Sequence, residues 1–288
     1  MKHTVKRFIE MILGRRLMWL IGKSMYLHAR RDVINEASVN GEEELQRQLL
    51  HEFSRNGERL VAFDVGANVG DWTMFLLDHA TAELRQRMDV HSFEPVPPTF
   101  EVLSRRVGGH DHCQCAHLVP QAISDTPGQI EMFISEGAAG TNSIHRDAFM
   151  SDQQRIQITA TTLERYVSEA GLSVVHFIKC DTEGHDLTVI RGAAGLFARE
   201  CIMALQFEYN IRWVYSRTYL KDVFDLLEPT LYQIGKVTPK HIELYPRWHP
   251  ELERYWEGNF IIIHPRALHC FRSVRGDFDG QFIYREGF

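Results

Sequence analysis

A chain of 288 residues, 44% hydrophobic and 11% aromatic, carries enough apolar side chains to close one large core, so a single α/β domain with extensions is expected. The net charge of −6 argues against a nucleic-acid surface, which would carry a basic stripe. Five cysteines at irregular spacing (Cys113, Cys115, Cys180, Cys201, Cys270) make no disulfide framework and suit a reducing, cytoplasmic compartment.

Residues 1–31 hold eight lysines and arginines against the single acid Glu10, while the rest of the chain is acidic. Val5, Phe8, Ile9, Ile12, Leu13, Leu17, Leu20 and Ile21 recur at three- and four-residue spacing, which predicts a basic amphipathic helix within a helical extension over 1–55. The block Leu17–Ile21 is too short to span a bilayer, and no small-residue cleavage site follows it. Two readings stay open: a cap on the domain or on a partner subunit in a homo-oligomer, and a peripheral helix on the anionic inner face of a membrane.

The main domain is expected over 56–288, with seven strands: Leu60–Val65, Val90–Phe93, Ala116–Ile123, Val174–Cys180, Ile202–Phe207, a segment near Leu231–Val237, and Phe260–His264. Helical stretches lie between most of them, and continuous apolar runs fit parallel strands covered on both faces. The first strand runs through Asp64 into a turn punctuated by Gly66, Asn68 and Gly70, with a helix opening near Asp71. The glycines let the backbone turn and approach a ligand, and the helix aims its free N–H groups at it. A dinucleotide fingerprint starting at Gly66 would need glycines at Asn68 and Asp71, so a nicotinamide oxidoreductase is disfavoured. With no pyrophosphate to cradle, Asp64 beside the helix start suits a cofactor with a cationic, amino-acid-like end, such as S-adenosylmethionine. Glu94 ends the second strand before Pro95, placed to accept both ribose hydroxyls or merely to begin a turn.

The segment His110–His117 contains three histidines and two cysteines, but its Cys-x-Cys spacing is too short for a zinc site and no second pair follows. Around 126–160 the rhythm changes. Gln129–Ile134 alternates like an exposed hairpin strand and Glu136–Ser143 is small and polar, which predicts an insertion forming part of a substrate rim.

The run Phe177-Ile-Lys-Cys-Asp181-Thr-Glu183-Gly184-His185-Asp186, continuing through Ile190 to Gly192-Ala193, is the most specific feature. Together with the Asp64–Gly70 turn, Phe93-Glu94-Pro95 and Ala122–Asp125, it resembles the FkbM family of S-adenosylmethionine-dependent O-methyltransferases over about Leu60–Pro265. The resemblance implies a class I, Rossmann-like methyltransferase fold and methyl transfer to a hydroxyl. It does not name the acceptor: a saccharide of a glycan or glycosylated metabolite is favoured over a polyketide or peptide natural product, and a non-catalytic methyltransferase-like subunit is disfavoured by the complete acid set. Asp125 resembles the residue that bonds the adenine amino group in this fold, though Ser124–Gly128 also reads as simple turn chemistry.

Asp181 and Glu183 end the fourth strand and Glu208-Tyr209-Asn210 ends the fifth, so they should meet at the ligand crevice. Two chemistries fit. Asp181, Glu208 and Asn210 resemble the acid, acid, amide set of metal-dependent methyltransferases and would hold Mg²⁺ or another hard divalent ion, although Glu208 and the intervening Tyr209 depart from that pattern. Without a metal, Glu183 or His185 would act as the base.

Overall fold

The apolar run Leu60–Val65 becomes the central strand β1, every residue of which is buried. Its side chains alternate: Leu60 and Ala62 join the hydrophobic layer on one face of the sheet, Val61, Phe63 and Val65 the layer on the other. Covered on both faces, β1 pairs in parallel with its neighbours on each side.

The computed structural model describes residues 2–135, 142–145, 153–280 and 283–287. Among them, thirteen strands form two sheets. After β1 come β2 (Met88–Phe93), β3 (Ala116–Val119), β4 (Ala122–Ile123), β5 (Gly128–Ser135), β6 (Gln153–Thr161) and β7 (Phe177–Cys180). Then follow β8 (Ala204–Tyr209), β9 (Gln233–Val237), β10 (Ile242–Tyr245), β11 (Gly258–Ile263), β12 (Ser273–Phe278) and β13 (Tyr284–Gly287). The main sheet has ten strands in the order β13-β12-β10-β9-β11-β8-β7-β1-β2-β3. The run from β3 to β9 corresponds to the seven expected strands. The expectation of seven is corrected by β10, β12 and β13, which lengthen the sheet beyond β9. β11 runs antiparallel to both β8 and β9 in an otherwise parallel block. This is a mixed α/β fold of the class I methyltransferase type.

The expected single strand Ala116–Ile123 is split. Pro120 has no N–H to offer a ladder, so β3 ends at Val119 in the main sheet and β4 joins β5 and β6 in a separate three-stranded sheet. β5 and β6 form the hairpin read from the alternation of Gln129–Ile134. The polar stretch Glu136–Thr141 lies outside the described residues.

At the N-terminus, α1 (Lys2–Ala29) is broken at Gly14, whose φ of +70° and ψ of 155° are not helical. The single amphipathic face over 5–21 is also corrected: the break at Gly14 interrupts it, and Met11, Ile12, Leu13, Leu17, Trp19, Leu20, Ile21, Met25 and Tyr26 are all exposed, with Trp19 and Tyr26 on the side opposite Leu17, Leu20, Ile21 and Met25. The chain then enters the body of the protein. Asp32 pairs with Lys236 and, at 2.8 Å, with Arg254. After the short α2 (Ala37–Asn40), α3 (Glu42–Asn56) buries Leu45, Leu49, Leu50 and Phe53 in the same layer as Leu60 and Trp72. A helical extension ending near residue 55 therefore shares the domain core from α3 onward. No helix among the described residues is long and apolar enough to cross a membrane.

Candidate functional site

Register places the site. Val65 is level with Phe93 on one side and Cys180 on the other, and Cys180 is level with Phe207. The residues just past these positions, Gly66, Glu94, Asp181 and Glu208, therefore emerge along one edge of the sheet. In an open α/β sheet this carboxyl edge is the ligand crevice.

The loop after β1 is held open by backbone. Gly66 has φ +83°, and a Cβ there would lie 1.9 Å from the carbonyl oxygen of Asp181, so only glycine permits the approach of the two chain segments. The N–H groups of Gly66 and Ala67 both donate to the Phe93 carbonyl at 3.0 and 2.9 Å. Asn68, at φ +48°, donates its backbone N–H to Glu94 Oε2 at 3.0 Å, and Val96 donates to Glu94 Oε1 at 2.9 Å. Burial pushes the Glu94 carboxyl up to about 7 against these two hydrogen bonds. Gly70, at φ +89°, precedes α4 (Asp71–His79), the helix expected near Asp71.

Two clefts meet at Gly66, Asn68 and Asp181. The first spans about 670 Å³, part of it open to solvent, and is walled by Phe93, Ile123, Met132, Ile144 and Ile158, with Glu94, Asn142, Glu183 and His185 as its polar points. Its apolar wall comes largely from the small sheet, and Asn142 and Ile144 bring the substrate rim to it. The second, about 710 Å³, is lined by Asn35, Asn40, Glu42, Lys179, Asp181, Glu208 and Asn259.

Several expected ligands occupy other roles. Asp64 lines neither cleft: it is fully buried beneath the loop, accepts a 2.7 Å bond from Thr73 Oγ1, and burial raises its pKa. Its bond to Thr73 ties the start of α4 to the end of β1 beneath the loop. Asp125 is exposed and accepts from Thr126 Oγ1 at 3.2 Å, so the turn reading stands and the cleft wall nearby is Gln121, Ala122 and Ile123. Asp186, in the signature, is buried and accepts from the N–H groups of Thr182 and Gly184, tying the Thr182–His185 turn together. Burial and neighbouring Asp181 push its pKa up to about 7.

The expected acids do converge. Carboxylate oxygens of Asp181, Glu183 and Glu208 lie within 4.8 Å of one another, which among the described residues is the one such group able to hold a metal ion. The set differs from the expected Asp181, Glu208 and Asn210. The Asn210 amide donates to Glu208 Oε2 at 2.6 Å while its oxygen accepts the Arg212 N–H at 2.8 Å, so it orients the carboxylate instead of facing a cation. Asn35, brought in from the N-terminal segment, donates to Glu208 Oε1 at 2.6 Å and is itself held by Asn40 at 2.8 Å. Arg212 forms an ion pair with Glu183, and Lys179 lies 3.1 Å from Asp181. Amides hold both Glu208 oxygens, Lys179 holds one oxygen of Asp181 and Arg212 one of Glu183, so the cluster as arranged does not present three free carboxylates to a divalent ion. Burial, then Asp181 and Glu183, raises the Glu208 pKa well above the carboxylate range. Tyr209 turns into the core and donates to Glu253 at 2.8 Å.

His185 sits in the first cleft with one ring nitrogen 3.0 Å from Ser124 Oγ and the other 3.5 Å from His145. Burial, aided by His145, pushes its pKa down to about 4, which makes it a weak base at neutral pH. Asn35, Asn40, Glu42 and Lys179 escaped the sequence reading, and Arg212, which with Trp213 could have formed a sugar-stacking rim, instead pairs with Glu183 while Trp213 is buried. Only Lys179, inside the signature strand, carried a local signal; Asn35 and Glu208 are 173 residues apart.

The fold and the glycine loop joined to the Glu94 and Asp181 strand ends define a class I methyltransferase. The particular family follows from the sequence: a family model described as Methyltransferase FkbM domain matches residues 64–234, more than half of the chain, and the protein belongs to that family. Membership implies S-adenosylmethionine as methyl donor. No curated protein matches the sequence. Among solved structures, similar ones include the methyltransferase FkbM from Methylobacillus flagellatus KT (16% identity, TM-score 0.46, covering 71% of this chain and 43% of that one). WbdD (13% identity, TM-score 0.44) covers 81% of this chain and 41% of that one, and the METTL16 MTase domain (9% identity, TM-score 0.44) covers 77% and 65%. This chain thus spans less than half the length of the first of these proteins.

Proposed function

We propose that the protein is an S-adenosylmethionine-dependent O-methyltransferase acting on a hydroxyl of a saccharide. The observation that carries this reading is the contrast between the two clefts that share Gly66, Asn68 and Asp181. The first, apolar with Glu94 at its side, suits an adenosine: Ile123, Met132 and Ile158 pack the base, and the free lone pairs of Glu94 accept the ribose hydroxyls. The cofactor, once bound, supplies a methyl group already activated by a sulfonium. The second cleft presents amides and charges rather than apolar wall, which favours a polyhydroxylated acceptor over a polyketide.

What this chain's residues must do is align the acceptor oxygen and take its proton. Asp181 is the acid that lines both clefts, so it receives that proton while the oxygen bonds to the methyl carbon and the carbon–sulfur bond breaks. Glu208, fixed by Asn35 and Asn210, and Asn259 hold the neighbouring hydroxyls. The test is methyl transfer from labelled cofactor to cell extract fractionated into glycans, lipids and small metabolites. Label in material that glycosidases digest supports the reading. Label confined to aglycone metabolites, or to nucleic acid, overturns it.

A further inference from the structure

Beyond Gly14, helix α1 has two unlike sides. At 100° per residue, Lys23 and Tyr26 lie on one side and face the domain: Lys23 Nζ sits 4.9 Å over the Trp256 ring, Tyr26 donates to Glu251 at 2.8 Å, and Arg254 lies over the Tyr26 ring, while Trp19 on the same side is 61% exposed under Lys23. Leu17, Leu20, Ile21 and Met25 lie on the other, 45%, 48%, 41% and 68% exposed. Arg15 and Arg16, exposed at the start of this segment, project to the flank and opposite side of that apolar face, and Lys2, Lys6 and Arg7 precede them in sequence.

We propose that this outward stripe of α1 binds an anionic lipid surface. Four apolar side chains on about 22 Å of helix fall well short of the roughly 800 Å² per partner that a stable protein interface buries. A second copy would also bring its own basic α1 against this one. A bilayer interface needs no matching shape, accepts an apolar stripe to shallow depth, and attracts the basic residues concentrated at this end of the chain. No described helix can cross the membrane, so the contact is peripheral.

The attachment is rigid on the protein side. Arg30 lies over both the Phe278 and the Tyr284 rings, 4.9 Å from each, and Lys236 Nζ donates to the Arg30 carbonyl at 2.6 Å. Five residues later Asn35 touches Glu208. A lipid-bound α1 would therefore hold the acidic cluster within about 17 Å of chain from the helix end, which favours acceptors presented at a membrane.

The test is sedimentation of the full-length protein with vesicles of phosphatidylglycerol and phosphatidylcholine, or of phosphatidylcholine alone. At low salt, binding to the anionic vesicles should exceed binding to the neutral ones at least tenfold and fall as salt rises. Two variants, Leu17→Ser/Ile21→Ser/Met25→Ser and Arg15→Glu/Arg16→Glu, should each lose at least tenfold in vesicle binding while S-adenosylhomocysteine affinity and melting temperature stay unchanged. Absence of binding to anionic vesicles, undiminished binding by both variants, or a dimer in light scattering that the serine variant dissolves would each overturn the proposal.

Discussion

The backbone N–H of Asn68 and the carboxylate of Glu94 are joined at 3.0 Å, which ties the loop after β1 to the end of β2. One carboxylate thus does two jobs, shaping the loop and facing the apolar cleft. The consequence is separable by mutation. Glu94→Gln keeps an acceptor for one of the two backbone donors, whereas Glu94→Ala removes both acceptors. S-adenosylhomocysteine binding measured by calorimetry should weaken by about 1.5–3 kcal/mol in the alanine variant and by less in the glutamine variant. Equal binding by Glu94→Ala and the unaltered protein would remove Glu94 from the cofactor site.

Gly66→Ala tests the backbone approach. The added Cβ would meet the Asp181 carbonyl at 1.9 Å in a left-handed conformation, so the loop and the end of β7 must separate. Denaturant unfolding should show a loss of at least about 2 kcal/mol, and cofactor binding should fail. A stable variant that binds normally would mean that the approach is not needed.

Stability should fall as pH rises above neutrality. Glu94 and Asp186 are both pushed to about 7, above their unfolded values, so the folded chain holds protons there that the unfolded chain has released. Their stabilisation is complete below the unfolded pKa values and is lost as pH passes 7. Between about pH 4 and 6.5 the buried histidines His91, His176 and His185, each pushed down to about 4, act in the opposite sense, because acidification charges them in the unfolded chain first. Glu183, pushed to about 8 by burial and then by Asp181, joins the carboxyl side, so from pH 6.5, where the histidines have given most of their effect, to pH 8 the carboxyls outweigh them and the ligand-free protein should lose on the order of 1–2 kcal/mol. Urea unfolding at pH 6.5 and pH 8 measures it. A rise over that interval would show that these carboxyls are ionised in the fold.

Asp181→Asn should cut turnover at least a hundredfold with little change in S-adenosylhomocysteine affinity, since the change falls on proton transfer. EDTA should leave the unaltered enzyme active, because Lys179, Arg212 and the two asparagines already satisfy the acidic cluster. Inactivation by EDTA with restoration by Mg²⁺ would show instead that these side chains rearrange around a metal.

Much of this was legible in the sequence because it is local. The strand ends at Val65, Phe93 and Cys180 follow from continuous apolar runs, and the glycine turn and the signature sit next to them. The acids at 181, 183 and 208 were brought together by register, which a parallel sheet imposes on consecutive strand ends. What failed was orientation and distance. Asp64 and Asp125 are acids at the expected places whose side chains turn to Thr73 and Thr126. Asn210 was read as a ligand because its type fits, whereas its amide is engaged with Glu208 and the Arg212 backbone. His185 was read at its ordinary pKa, which burial removes.

Asn35, Asn40 and Glu42 lie before residue 64, where the family match begins, yet they wall the cleft assigned to the acceptor. The family-matched scaffold and the part that would choose a substrate are thus on different stretches of chain. Exchanging residues 30–42 between members of the family is therefore a route to altered acceptor preference that leaves the methyl-donor pocket intact, whereas trimming the protein to residues 64–234 would remove α3 and β11, on which the core and the sheet depend.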